Sequence, residues 1–155
     1  MRVILAIATH ALVGALGFAL GVYALPILIA PEPPTLSEVR AATGEHKFEA
    51  QFRRDLPGSD MLHWGEGTVY LSDRAVSFSG ELAPGPDYKL YLSPEYVDTE
   101  ADFIRHKASM VRAGDVRTFD NFIVPLPPGL EPSQYNTVVV WCEAFGQFIT
   151  AARYR

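Results

Sequence analysis

Residues 1–30 contain an apolar run that constrains this chain more than any other feature. From Val3 to Ala30 there is no Asp, Glu, Lys or Arg. About 20 apolar residues in a helix span the hydrocarbon of a bilayer, so this run is long enough to cross a membrane. We therefore predict a single N-terminal transmembrane helix, with the membrane as a partner through residues 3–30.

A cleaved signal peptide is the competing interpretation of this run. Signal peptides have an apolar region of about 7–15 residues, followed by a cleavage site of the small-x-small type. The run here is longer, and both Val22-Tyr23-Ala24 and Leu28-Ile29-Ala30 match such a site poorly. A buried soluble helix is a third alternative, although such a helix normally carries a polar face. These observations favour an uncleaved anchor.

The charges that flank the run predict its orientation. Arg2 precedes it, whereas Glu32 and Glu38 are the first charged residues after it. The positive-inside rule then places the N-terminus in the cytoplasm. We expect a single-pass protein of the cell membrane, with its C-terminal domain outside the cytoplasm, on the periplasmic side. The chain has 13 Lys and Arg against 18 Asp and Glu, and this net charge of −5 argues against nucleic acid as a partner.

A short extension links the anchor to the rest of the chain. The proline-rich residues 31–34 predict a stiff, extended spacer. Thr35 or Ser37 can cap a short helix that runs through Ala42. Phe48 and Phe52 are four residues apart, which is compatible with a further helical turn or two. We therefore divide the chain into an anchor (1–30), a linker with a short helical extension (31–64) and a C-terminal domain (65–155).

The C-terminal domain has the pattern of an all-β fold. In residues 75–82, apolar positions alternate with Ser77, Ser79 and Glu81, and this period of two is typical of a half-buried strand. Similar segments recur in 67–73, 88–92, 108–114, 118–126, 137–145 and 147–155, with turn signals between them. Seven or so short strands with turn signals every 8–12 residues predict an antiparallel β-sandwich or a barrel.

Residues Val138–Cys142 are apolar at every position and include the only cysteine of the chain. A continuous apolar run predicts a central strand that is covered on both faces. A buried, inert Cys142 is favoured by the residues alone, because reactive thiols need nearby positive charge or a helix N-terminus. A blue-copper site is excluded, because no His or Met follows Cys142. The four His residues have no ligand-like spacing, so no metal site is predicted.

Two other clusters have weaker functional interpretations. Residues 61–65 bring a Met, His63 and Trp64 together before the first predicted strand of the domain. Met and His can ligate haem, but a cluster that closes one edge of the sandwich is favoured. The acidic residues around Asp98 and Asp102 lack the spacing of a calcium loop, which favours a solvated loop. No nucleophile motif or phosphate-binding loop is present, so a stand-alone enzyme is not favoured.

Four segments together resemble the DM13 domain, a proposed electron-transfer domain. They are a Gly-Pro-Asp turn with the strand that follows (Gly85–Ser93), a glycine turn with a strand that ends in Pro (Gly114–Pro125), the Tyr-x-x-Val-Val-Val-Trp-Cys strand (Tyr135–Cys142), and a short strand ending at Ala151 or Ala152. The resemblance covers about residues 65–155. It implies a sandwich related to DOMON-type domains and a nearly invariant cysteine, here Cys142. It also implies a redox role through a free thiol or a bound group such as haem.

Two functions follow as hypotheses. The first is a membrane-anchored extracytoplasmic redox or electron-transfer module in which Cys142 is the redox group and Trp141, His63 and Trp64 are its neighbours. This module would serve a redox partner protein, and its cofactor is unknown. The alternative is a non-catalytic ligand- or protein-binding sandwich at the membrane surface, which would use loops such as 93–107 and 127–134.

Overall fold

The computed structural model describes all 155 residues, and it consists of an N-terminal helix and a two-sheet domain. The helices are α1 (Arg2–Ile29), α2 (Leu36–Thr43) and α3 (Glu100–His106). The strands are β1 (Phe48–Phe52), β2 (Gly65–Leu71), β3 (Ala75–Leu82), β4 (Tyr88–Ser93), β5 (Val111–Val116), β6 (Phe122–Pro125), β7 (Thr137–Cys142) and β8 (Gln147–Arg153). Short 3-10 turns at Lys107–Ser109 and Pro132–Gln134 complete the regular structure.

The strands form two four-stranded antiparallel sheets that face each other. The first sheet has the order β1-β2-β3-β6 and the second has the order β5-β4-β7-β8. The all-β sandwich and each of the predicted strand segments are therefore confirmed. β7 lies between β4 and β8, as expected for a strand that is apolar on both faces.

The first sheet corrects one prediction for the extension. Residues Phe48–Phe52 form strand β1 and not a helical turn, with Phe48 opposite Leu71 and Phe52 opposite Gly67. Ala50 and Phe52 are buried, whereas Glu49 and Gln51 are exposed. The segment therefore alternates with a period of two and extends the sheet before β2. The expected helix α2 is present, and Thr35 and Glu38 form a capping box at its start.

Apolar side chains fill two layers, one on each face of the second sheet. The main core lies between the sheets and includes Val138, Val140 and Cys142. A smaller cluster lies on the opposite face of β7, where Val139 and Trp141 pack with Phe103 of α3. Helix α3 therefore covers the second sheet from outside.

Helix α1 is the one helix that is long and apolar enough to cross a membrane. Its side chains are exposed along most of its length, and Pro26 is its buried residue. Residues near its C-terminal end line cavities together with residues of the sandwich. The chain thus enters the domain at the end of the sandwich where Leu82 ends β3.

Candidate functional site

Cys142 is the last residue of β7, and it lies where the main core meets the end of the sandwich. Its backbone is opposite Tyr88 of β4 on one side and Gln147 of β8 on the other. Only 2% of the residue is exposed to solvent. Burial raises the pKa of the thiol, although backbone N–H groups of the flanking turns act in the opposite direction. Cys142 is therefore a protonated thiol at neutral pH.

A cavity of about 320 Å³ lies beside Cys142, between α1 and the end of the sandwich. Helix α1 contributes Phe18, Ala19, Val22 and Tyr23 to its wall. The domain contributes mainly apolar groups, together with the few polar side chains of His63, Tyr88, Cys142 and Gln147. Ligand sites in proteins have this composition and start at about 300 Å³, so the cavity is large enough for a small apolar molecule.

The turn between β3 and β4 forms one side of this cavity. Tyr88 is buried, and its hydroxyl group donates a hydrogen bond to the Ala83 carbonyl oxygen at 2.7 Å. A side chain at Gly85 would come within 2.6 Å of Tyr88 Cζ, so glycine allows the turn to lie directly on the ring. The Gly-Pro-Asp turn seen in the sequence therefore packs against the residue that faces Cys142.

His63 is brought to the same cavity by the loop before β2. Its Nδ1 lies 2.9 Å from Asp60 Oδ2, and Asp60 also accepts hydrogen bonds from the backbone N–H groups of Leu62 and His63. The hydrogen bond with the His63 ring is the main cause that lowers the pKa of Asp60. The loop is thus ordered by one carboxylate, which holds the imidazole at the cavity wall.

The other two predicted neighbours of Cys142 lie elsewhere. Trp64 lines a separate cavity and is covered by the Arg54 guanidinium group, whose central carbon is 3.3 Å from the ring centroid. Trp141 is adjacent to Cys142 in sequence but faces the opposite side of the sheet. Of the three predicted neighbours, only His63 therefore shares the cavity with Cys142.

Trp141 belongs to an aromatic and charged cluster that sequence reasoning missed. The ring of Phe103 stacks on it at 3.9 Å with an interplanar angle of 9°, and Tyr91 packs edge-on against Phe103. The Tyr91 hydroxyl group donates a hydrogen bond to Glu143, and Lys107 Nζ lies 2.9 Å from the same carboxylate. The cluster combines residues of β4, of α3 with the turn after it, and of β7 with the residue that follows it, so no sequence spacing could have joined all of them.

The electrostatics of this cluster keep Glu143 ionised. Burial acts to raise the pKa of Glu143, but hydrogen bonds from Tyr91 and Lys107 and the charge of Lys107 outweigh it, so the pKa is lowered. The pKa of Tyr91 is raised by burial and by its bond to Glu143. The cluster therefore holds a phenol, a carboxylate and an ammonium group on the outer face of β7.

The structure contains no group of three or more His, Cys, Asp and Glu side chains that could hold a metal ion. The predicted acidic loop instead starts α3, where Thr99 and Asp102 cap the helix and Asp102 pairs with Arg105. Cys142 and His63 are residue types that ligate haem iron. Burial raises the pKa of the Cys142 thiol, so a metal that bound its sulfur would have to displace the proton.

A two-sheet antiparallel sandwich, a buried thiol beside an apolar cavity and an adjoining apolar helix define the class of this protein. The family model described as "Electron transfer DM13" matches residues 51–154. The chain belongs to the DM13 family. The match begins before residue 65 and thus includes part of β1, which the sequence resemblance had left outside. The chain matches no curated protein and no solved structure.

Proposed function

We propose that the protein is a membrane-anchored, extracytoplasmic electron-transfer domain and that Cys142 is its redox group. The observation that carries this proposal is that the one thiol of the chain lies on the wall of an apolar cavity. An uncleaved α1 would hold the domain at the membrane, with the charge pattern around Arg2 and Glu32 setting its side.

A thiol of this kind can exchange two electrons by disulfide exchange. The Cys142 thiol loses its proton and attacks one sulfur of a disulfide R–S–S–R that enters the cavity. A bond forms between Cys142 and that sulfur, the R–S–S–R bond breaks, and the departing RS⁻ takes up the proton as RSH. The Cys142 sulfur is oxidised and the departing sulfur is reduced, and a second thiol reverses the step. A redox partner protein or a small disulfide compound can supply R–S–S–R.

The proposal is tested by the reaction of Cys142 with 4,4′-dithiodipyridine in the full chain, held in nanodiscs. We expect one equivalent of thiopyridone from the native protein, released more slowly than from the unfolded protein because the sulfur is buried. The matched control is a Cys142→Ala, Val140→Cys variant, in which the thiol lies on the same face but deeper in the core. That thiol should stay unreacted until unfolding. Equal protection of Cys142 and the control thiol would overturn the proposal.

Burial of Cys142 favours the alternative function, a non-catalytic binding module at the membrane surface. A thiol that is 2% exposed and has a raised pKa has the properties of a core residue. If the protein is a binding module, Cys142→Ser should retain full function in cells, because binding needs no electron exchange. A serine hydroxyl group cannot exchange electrons. Loss of function in this variant, with its fold retained, would support the redox role.

A further inference from the structure

The end of the sandwich that carries Cys142 also carries unusually exposed apolar side chains. Met61 is 93% exposed, Leu62 is 62% exposed and Phe145 is 54% exposed. We call these three residues the apolar rim. Leu62 and Phe145 line the same cavity as Cys142, so the rim adjoins the candidate site. Exposed large apolar groups that cluster on one end of a domain mark a surface that contacts something apolar.

Local structure holds the rim away from the core. The Asp60 carboxylate accepts the N–H groups of Leu62 and His63 at 2.7 and 2.8 Å, and this tight turn directs Met61 and Leu62 outward. Phe145 lies in the turn between β7 and β8, which closes with Gly146 at a φ of 63°. Two independent turns therefore present apolar side chains at the same end of the domain.

The length of helix α1 indicates where the rim lies relative to the bilayer. Its 28 residues extend about 42 Å, which exceeds the hydrocarbon thickness of about 30 Å. If Arg2 lies at the inner boundary of the hydrocarbon, then about 20 residues later the outer boundary falls near Val22. Phe18 and Val22 line the cavity opposite Leu62 and Phe145. The rim is therefore at the level of the outer edge of the hydrocarbon.

The residues around the rim indicate which part of a membrane the rim contacts. The segments 57–66, 84–87 and 143–149 contain no Lys or Arg. Three basic residues that contact these segments are each paired with a carboxylate, Arg54 with Glu66, Lys89 with Asp87 and Lys107 with Glu143. A surface that binds anionic headgroups needs clustered basic residues, whereas a surface that inserts into the interface needs Leu, Met and aromatic side chains. The rim has only the second kind of residue.

We propose that the apolar rim inserts into the outer edge of the bilayer, so that the domain lies directly on the membrane with its Cys142 end facing the lipid. The cavity between α1 and the sandwich then opens toward the bilayer, and apolar molecules reach Cys142 from the lipid. This inference rests on the proposed membrane anchoring of α1. It assigns a lipid surface as the partner of Met61, Leu62 and Phe145.

Spin labels test the inference in the full chain, reconstituted in phosphatidylcholine nanodiscs. In a Cys142→Ala background, single labels replace Leu62 or Phe145, and a control label replaces Asp73. Asp73 is an exposed residue in the turn between β2 and β3, at the opposite end of those strands from Gly65 and Leu82. A fourth label at Val13, in the middle of α1, reports whether the helix spans the bilayer. All four sites are exposed on the protein, so the labels should not disturb folding.

Collision with oxygen, which concentrates in hydrocarbon, is compared with collision with a water-soluble nickel chelate. We expect the oxygen-to-nickel ratio at Leu62 and Phe145 to be about tenfold above that at Asp73, because apolar solutes partition from water into hydrocarbon. A lipid-like ratio at Val13 with water-like ratios at both rim sites would overturn the rim inference alone. A water-like ratio at Val13 would overturn the anchoring and the rim inference together. Shielding of both rim labels from both reagents, with dipolar broadening between labels, would instead assign the rim to a second copy of the chain.

Discussion

The hydrogen bond between Tyr88 and Ala83 links the two ends of the turn that forms one wall of the cavity beside Cys142. The Tyr88 hydroxyl group is the donor to the Ala83 carbonyl oxygen, and both residues are buried. Tyr88→Phe removes the donor while leaving the ring in place, so it leaves a buried carbonyl group without this partner. The turn that carries Gly85 then loses a direct link to β4.

The size of the effect follows from the burial of the carbonyl group. A buried acceptor that loses its partner costs about 1–3 kcal/mol. If this free energy favours opening of the turn, the fraction of molecules with an open turn rises by about 5- to 150-fold, which is the ratio equivalent to 1–3 kcal/mol. Opening of this wall exposes the Cys142 sulfur, so the rate of its disulfide exchange in the native protein should rise by the same factor.

The assay is the rate of thiopyridone release from native protein in nanodiscs, together with the free energy of unfolding in denaturant. The matched control is Tyr154→Phe, because the Tyr154 hydroxyl group donates a similar buried bond to the Pro132 carbonyl oxygen at 2.9 Å. Tyr154 follows the end of β8 that pairs with Thr137, which is the opposite end of β7 from Cys142. Both variants should lose about 1–3 kcal/mol of stability, but only Tyr88→Phe should speed the reaction of Cys142.

Two results would refute this reasoning. Equal acceleration in both tyrosine variants would mean that Cys142 reacts through global unfolding and not through the wall of the cavity. An unchanged free energy of unfolding in Tyr88→Phe would mean that the bond to Ala83 does not hold the turn.

Three further outcomes are expected. Phe103→Ala should cost about 3–5 kcal/mol of unfolding free energy, measured by denaturant titration, because its fully buried ring stacks on a tryptophan. The adjacent, exposed Ile104→Ala should cost about 0.5 kcal/mol or less, and similar costs for the two would contradict the packing of α3. Because the pKa of Glu143 is lowered in the folded state, its contribution to stability is present above its ordinary pKa of 4.5 and is lost as the pH falls below it. Wild type should therefore lose more stability than Glu143→Gln between pH 5 and pH 3 in acid titrations, and parallel curves would argue against the ion pair. Because the pKa of Cys142 is raised above 9.0, its rate of disulfide exchange at constant fold should keep increasing beyond pH 9, and a plateau near neutral pH would show an activated thiolate.

Most of the fold could be predicted from the pattern of apolar residues in the strands. The uninterrupted apolar run Val138–Cys142 predicted a central strand that is buried on both faces. In the structure, the first sheet packs on one face of this strand and α3 packs on the other. The segment Phe48–Phe52 was predicted wrongly as helical. A spacing of four residues fits two periods of a strand as well as one turn of a helix. The positions of the two phenylalanines alone therefore do not distinguish a strand from a helix. The alternation of Glu49 and Gln51 with Ala50 was the missed signal.

Less of the candidate site than of the fold could be predicted from the sequence. Cys142 could be selected because it is unique, but its neighbours depend on packing between distant segments. His63 reaches the cavity through a loop that precedes β2, and Phe18 reaches it from α1. Trp141, although adjacent in sequence, points away because successive strand residues face opposite sides of a sheet. Proximity along a strand therefore predicted the wrong aromatic neighbour.

The position of β7 also determines when this domain can fold. β7 and β8 follow every other strand of the sandwich in the chain, yet β7 occupies the interior of the second sheet between β4 and β8. Until residues 137–153 are available, β4 has no partner on one side and the main core lacks Val138, Val140 and Ile149. Before these residues have been synthesised, the apolar faces of the earlier strands therefore stay partly uncovered.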